Sequence, residues 1–499
     1  MKIKHNDLNQ RYDIAIIGGG IAGLALSRFL NLENRKILIV EAGSFKFDKE
    51  INNKSFATSK ELGNWPSKNY SSFYSRVRMF GGNANVWGGW CMELDEYDYK
   101  NNEIWNFLKD DLNKHYLQAY KLLNINKKSI ENLKLNLRTV NPYMINVSRG
   151  NFINECRNYV MENKNIDLLL NSELVKINLE NDLVSSIIIK DHEGLESIVN
   201  LSKLIVSTGG IEATKIVMKN LPENKHNKNS GKFFMEHPQI QVGRVKIKNS
   251  EINKFIKKFS PPTARHLFDD KLNIQQDKSF SGFKSTNQEV RNYFVLRSSD
   301  VYQSKGLYRL RHIILTKSIS STGKITINDV FNLILDIFNL IFRKFLSLFS
   351  LNRSYAVVLH LEQKPDKRNQ IYFDDKENLI LNWNFTEDDL NNLTHSIKDL
   401  NIIFNEMNAK FYLKNIFKQD TKVLKKYLKK NIFGIGHHLG TTRMGKSSNE
   451  SVCDTDLTYH GINNLYLNST SVFPTGGIAN PTLTMLALTS RLAENLNNE

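Results

Sequence analysis

Six residues near the N-terminus, Gly18-Gly19-Gly20-Ile21-Ala22-Gly23, constrain the fold of this chain more than any other stretch. They follow a short apolar run, Tyr12–Ile17, that reads as a buried strand, and they open a helical pattern over 21–30. A second apolar run, Lys36–Val40, completes the order strand, turn, helix, strand, which is a βαβ unit. In the GxGxxG spacing, Gly18 permits the tight turn after the strand, Gly20 lets a pyrophosphate approach the backbone, and Gly23 lets the helix pack closely on the strand. The helix opens at Ile21 and Ala22, where free N–H groups and the helix dipole favour negative charge. Glu41 ends the next strand, 18 residues past Gly23, and an acid there accepts hydrogen bonds from ribose hydroxyls. This context predicts dinucleotide binding and leaves FAD and NAD undecided.

The rest of the chain is long enough, at 499 residues, to build several layers around large cores. Its net charge of +17 admits a basic face for nucleic acid, anionic lipid or an anionic substrate. The lysines are scattered among Asn and Ile, which favours compositional drift. No aromatic-interleaved basic stripe occurs, so no nucleic-acid partner is expected. The three cysteines, Cys91, Cys156 and Cys453, form no CxxC pair and no even set, which fits a reducing compartment. The first apolar strand starts near Tyr12 and leaves no room for a signal peptide. A cytoplasmic location is expected, with peripheral contact at the inner face of the membrane as a variant of it.

Two more buried-strand patterns lie far along the chain. Leu204–Val206 is followed by Ser207-Thr208-Gly209-Gly210 and a helix from about Ile211, and Leu465–Leu467 lies near the C-terminus. Strands so separated still share a sheet when another domain is inserted between them. The expected fold class is therefore α/β, a Rossmann-like dinucleotide-binding domain with an inserted α+β substrate domain built on an antiparallel sheet. The first spans 1–239 and 431–499, with some substrate-domain segments inside 95–200; the second spans 240–430. Within the insert, Gln370–Phe373 and Leu379–Phe385 alternate like a half-buried hairpin. A helix over 386–412 is expected, opened by Thr386 with acids in its first turn.

The segment 330–351 stands apart, with 15 of its 22 positions Val, Leu, Ile or Phe. Its polar residues, Lys344 excepted, step by three or four and make one narrow stripe on a helix. Asp336, Arg343 and Lys344 argue against a spanning helix. Three readings stay open: a helix packed into the substrate domain, a helix lying in a membrane interface, and a partner-binding helix.

Four further motifs carry a family resemblance. Residues 78–91 read Arg78-Met-Phe-Gly-Gly-Asn-Ala-Asn-Val-Trp-Gly-Gly-Trp-Cys91, and residues 231–238 read Gly231-Lys-Phe-Phe-Met-Glu-His-Pro238. Gly436-His-His-Leu-Gly-Thr-Thr-Arg-Met-Gly445 and Ser471-Val-Phe-Pro-Thr-Gly-Gly-Ile-Ala-Asn-Pro-Thr-Leu-Thr484 follow near the end. With the N-terminal fingerprint, in this order, the chain resembles the glucose–methanol–choline (GMC) oxidoreductases, flavoenzymes that oxidise alcohols. The C-terminal motifs are most similar to the sugar-oxidising branch of pyranose oxidases and bacterial sugar dehydrogenases. Residues 240–355 match poorly.

The resemblance implies FAD, hydride transfer from a CH–OH group to the flavin, and a catalytic pair. Removing a hydroxyl proton needs a base, and a developing alkoxide needs a donor. The family's base lies three residues before the glycine of Gly440-Thr441, which makes it His437; its partner precedes Pro481-Thr482, which makes it Asn480. His438 is adjacent and cannot share that role, since neighbouring side chains point in different directions. The resemblance also places Gly82, Asn85, Trp87 and Gly88 in a loop over the flavin, and Ser471 and Thr482 beside it. Some sugar-oxidising members bond FAD covalently through a histidine just before the tryptophan. Here that residue is Val86, so non-covalent FAD is expected. His237 and Pro238 read as structural. Asp454, Asp456 and Cys453 lack metal-ligand spacing, and no metal site is expected.

The substrate expected is a small alcohol or sugar, and the electron acceptor stays open between dioxygen, a quinone and another acceptor. The apolar segment 330–351 tilts the reading towards a dehydrogenase. The competing reading is a non-redox or lyase-type flavoenzyme on the same fold, which the retained His–Asn pair disfavours.

Overall fold

The computed structural model describes residues 1–57, 59–63, 75–126, 135–148, 151–259, 280–297, 354–432 and 436–499, with single positions between 310 and 338 and at 434. Most of the segment 330–351 lies outside the described residues.

The fingerprint folds as its glycines require. The strand Arg11–Ile17 runs into the helix Ile21–Phe29 and then into the strand Ile37–Glu41. A parallel sheet forms around them in the order Ile166–Leu170, Ile37–Glu41, Arg11–Ile17, Glu196–Val206, Leu465–Leu467. Its strands are nearly all apolar and buried, as a sheet covered on both faces demands. Strand order reverses across Arg11–Ile17, whose next parallel strand lies on one side and whose partner Glu196–Val206 lies on the other. Such a switch point leaves a crevice at the carboxyl ends of the strands. The first half of Glu196–Val206 turns antiparallel and continues into a ribbon of Leu183–Asp191 and Ser172–Glu180.

A second sheet is antiparallel throughout, in the order Ala409–Leu413, Gln239–Ile247, Ser354–Leu361, Asn292–Arg297, Phe280–Ser285, Val140–Val147, Trp90–Cys91. Its two faces differ because strand side chains alternate. Phe294, Leu296, Val357 and Leu359 pack against Leu393, Leu400, Ile403 and Phe404 of the helix Glu387–Glu406. The other face carries Ile145, Val147, Tyr293, Val295 and Val358, and packs on Met92, Ile478 and Ala479. That face is the one turned towards the C-terminal motif containing Asn480.

The hairpin forms at Gln370–Phe373 and Leu379–Trp383, and Ser59–Gly63 pairs alongside it in parallel. Thr386 caps the following helix as expected, its hydroxyl accepting from the Asp389 amide. That helix does not reach 412. It stops at Glu406, Asn408 turns left-handed at φ 49°, and Ala409–Leu413 becomes an edge strand beside Gln239–Ile247. Asparagine tolerates this conformation, and the edge of the sheet offers the backbone new partners.

Candidate active site

At the fingerprint, a Cβ on Gly18 would lie 2.7 Å from the Ser207 carbonyl and one on Gly23 would lie 2.1 Å from the Gly18 carbonyl, whereas one on Gly20 would meet nothing within 4 Å. The first two glycines close the turn; the third leaves open space above the helix N-terminus. Neither Gly20 nor Gly209, the N-caps of Ile21–Phe29 and Gly210–Lys219, supplies a capping side chain. Both helices therefore present uncapped amides to the same crevice. Beside them Thr208 Oγ1 is buried without a hydrogen-bond partner. A diphosphate-bearing cofactor fits these features.

Glu41 is buried at the end of its strand, with one oxygen accepting from the Gly19 amide and the other from the Gly43 amide, each at 2.8 Å. A carboxylate has about four acceptor positions, so two remain. The loop 78–91 lies directly on the fingerprint: the Gly81 amide donates to the Gly19 carbonyl at 2.7 Å, and a Cβ on Gly82 would sit 3.1 Å from the Gly20 Cα. Asn85 spends its amide on its own loop, donating to the Phe80 and Gly82 carbonyls. Trp87 packs on the core of the first sheet, Gly88 is exposed, and Val86 is buried with Val77 and Met79. The Ser471 hydroxyl is fully buried and shared with Thr442 and Ser469. Thr482 opens the final helix, Thr482–Asn498, whose N-cap is Pro481 and offers no side-chain cap.

The run Gly231–Pro238 and the stretch around His437 are laced together by backbone. Met235 and Leu439 exchange hydrogen bonds at 3.0 and 3.1 Å, so the run Gly231–Pro238 lies antiparallel to His437–Gly440. Gly440 makes the approach possible: its φ is +82°, and a Cβ there would lie 2.4 Å from the Phe233 carbonyl. The buried Glu236 carboxylate accepts from the His437 amide. The adjacent histidines diverge, as neighbouring residues on an extended chain must. His438 turns to Ser75, with Nε2 3.3 Å from the hydroxyl, and packs on Phe234. Burial first, then the nearby Arg76 charge, pushes His438 down to about 3.

His437 turns the other way and keeps partial access, with its Nδ1 2.8 Å from Nδ1 of His237. The second nitrogen of His237 lies 3.2 Å from the Gly476 carbonyl. Burial, helped by the charges that His237, His438 and His360 would carry, holds His437 well below the usual histidine range. His360 projects from the second sheet and stacks on Tyr293, ring centroids 4.3 Å apart. The Tyr293 hydroxyl donates to Asn480 Oδ1 at 3.2 Å. His437 is thus tied through His237 to the Gly476 carbonyl, four residues before Asn480, while Asn480 is tied through Tyr293 to the ring of His360.

One buried cation holds the intervening Gly476-Gly477 turn. Arg291 sits 2.6 Å from Asp98, 2.6 Å from Glu362 and 3.5 Å from Asp95, and its guanidinium lies 3.8 Å above the Tyr97 ring. Glu362 then accepts from the Gly477 amide at 3.1 Å. Burial and the neighbouring carboxylates raise Asp98 well above the ordinary range. Sequence reasoning took His237 for a structural residue and did not single out Tyr293, His360 or Arg291. Only the Glu236-His237-Pro238 run was visible, as part of a motif.

Residues 365–489 match the family described as GMC oxidoreductase. No curated protein matches the chain in sequence. Among solved structures, the fold is similar to the crystal structure of pyridoxine 4-oxidase from Mesorbium loti, with a TM-score of 0.57 at 14% identity over 98% of this chain and 99% of that one. The resemblance read from the motifs is borne out over the C-terminal part, and the expected α/β class over nearly the whole chain.

Proposed function

We propose that this chain, a GMC-type oxidoreductase, oxidises the CH–OH group of a sugar or polyol with FAD bound non-covalently. The observation that carries the reading is His437, a partly accessible imidazole held uncharged beside the turn that leads to Asn480. FAD, when bound, supplies the acceptor for the substrate's hydride. The protein supplies the rest. The crevice above Gly20, the uncapped helix starts and Thr208 Oγ1 would hold the diphosphate, and Glu41 would take the ribose. His437 accepts the hydroxyl proton, while Asn480, oriented by Tyr293, donates from its amide to the developing alkoxide. Val86 at the position before Trp87 supports non-covalent attachment.

The acceptor for the electrons we assign to a membrane quinone rather than dioxygen. Phe331 and Ile334, among the described helical positions of the apolar segment, are more than half exposed, which favours contact with a lipid surface over packing. Among the described residues no helix is long and apolar enough to cross a membrane. A cytoplasmic protein docking peripherally accords with three free, buried cysteines.

Anaerobic bleaching of the flavin by a panel of sugars, polyols, simple alcohols and pyridoxine tests the reaction. Bleaching by a sugar or polyol, lost in His437→Ala and Asn480→Ala and kept in His438→Ala, is the expected result. Firmly bound FAD that no alcohol bleaches would favour the non-redox alternative. Flotation with phosphatidylserine vesicles tests the membrane reading, and a protein left at the bottom of the gradient would end it.

A further inference from the structure

Outside the pair read from the motifs, the group that bears most directly on the chemistry is His237. Its ring is bracketed at both nitrogens. Nε2 faces the Gly476 carbonyl at 3.2 Å, and a carbonyl oxygen only accepts, so Nε2 carries a proton. Nδ1 faces Nδ1 of His437 at 2.8 Å, and of two nitrogens at that distance one donates and the other accepts. His237 is 3% exposed and has no carboxylate contact among its hydrogen-bond partners, so the ring is neutral and its Nδ1 is a bare lone pair. Burial holding His237 down at about 4 agrees with that state. The proton between the rings therefore belongs to His437.

We infer that His237 is a positioning residue that fixes His437 in the tautomer protonated at Nδ1 and bare at Nε2. This rests on the reading of His437 as the base and adds the reason it works. A histidine accepts a proton only at its unprotonated nitrogen, and which nitrogen that is depends on the hydrogen bond the other makes. With Nδ1–H committed to His237, the Nε2 lone pair is the one left for the substrate hydroxyl. When the hydroxyl proton arrives at Nε2, His437 becomes an imidazolium whose Nδ1–H still donates to His237. The partner is neutral rather than a carboxylate, so it orients the base without pulling its proton affinity far upwards. The carbonyl of Gly476 is the far anchor of this relay, which ties the tautomer of His437 to the same turn that leads to Asn480.

The experiment is long-range ¹H–¹⁵N spectroscopy of the holoenzyme labelled with ¹⁵N-histidine, at neutral pH and without substrate. Signals are assigned by their loss in His437→Gln and His237→Asn. The expected spectrum shows His437 protonated only at Nδ1 and His237 only at Nε2. In His237→Asn the side-chain oxygen stands where Nδ1 stood, so His437 keeps its Nδ1 proton. In His237→Leu, which fills the space without an acceptor, the His437 signals move towards the Nε2-protonated pattern. A wild-type His437 carrying its proton on Nε2, or on both nitrogens, would overturn the inference, as would a Leu variant with an unchanged His437 pattern. If the Leu variant does not fold, the wild-type and Asn spectra still decide. The base reading fails separately, through His437→Gln that still bleaches with alcohol.

Discussion

His438 offers a quantitative test of how deeply the site is buried. It is 6% exposed, with its proton affinity pushed down to about 3, while an unfolded histidine titrates near pH 6.5. A histidine whose folded value is depressed contributes stability that is complete above the unfolded value. That stability is lost as pH falls towards the folded one. Between pH 7 and pH 5 the unfolded chain gains most of a proton at this position and the folded chain almost none. The difference amounts to about 1.4 logarithmic units, or about 2 kcal/mol. His438→Gln, which places an amide near the Ser75 hydroxyl, removes that dependence. Urea unfolding at the two pH values, in wild type and variant, reads it as a double difference in which other titrating groups cancel. The variant should lose about 2 kcal/mol less than wild type on acidification, and it should still be bleached by the panel alcohol, since His438 faces away from the site. An acid sensitivity identical in the two proteins would refute the argument.

Three further outcomes follow from the geometry. Gly23→Ala places a methyl 2.1 Å from the Gly18 carbonyl, and purified protein should carry little flavin by its visible absorbance and unfold about 1–3 kcal/mol more easily. Tyr293→Phe strips the donor from Asn480 Oδ1, which is buried; about 1–2 kcal/mol is lost, so anaerobic flavin reduction should slow roughly five- to thirty-fold while flavin content stays normal. Arg291→Met leaves Asp95, Asp98 and Glu362 buried without their shared cation and should cost about 3–5 kcal/mol at neutral pH. Asp98 is already raised by burial with the cation in place and rises further without it, so the deficit should shrink as pH falls from 7 to 5, measured again by urea unfolding.

What the sequence made legible was mostly local. The fingerprint, the acid at the end of the next strand, the strands Leu204–Val206 and Leu465–Leu467 and the Thr386 cap each depend on neighbours within a few residues. His437 and His438 could be told to point apart from adjacency alone. The end of the helix at Glu406 was not visible, because Ala409–Leu413 is a strand only by virtue of the edge that Gln239–Ile247 offers. The contact of His237 with His437 was out of reach for a similar reason: the two rings meet only where Met235 bridges Leu439, 204 positions further on (439 − 235). Arg291 finds Asp98 across a separation of 193 residues, which no periodicity records. The faces of the second sheet could not be assigned from 240–355, where the motifs give out.

The strand Leu465–Leu467 closes the cofactor sheet against Leu204–Val206. During synthesis, the ribosome must add some 260 residues after Val206 before that partner emerges (465 − 206). Until then the nascent chain displays an apolar parallel edge with unmet backbone donors and acceptors, the kind of surface that recruits chaperones or other chains. On the proposed function, flavin capture would therefore be a late event in the life of this polypeptide. A message truncated anywhere before codon 465 should yield a product that is colourless and prone to aggregate rather than a smaller, partly working enzyme.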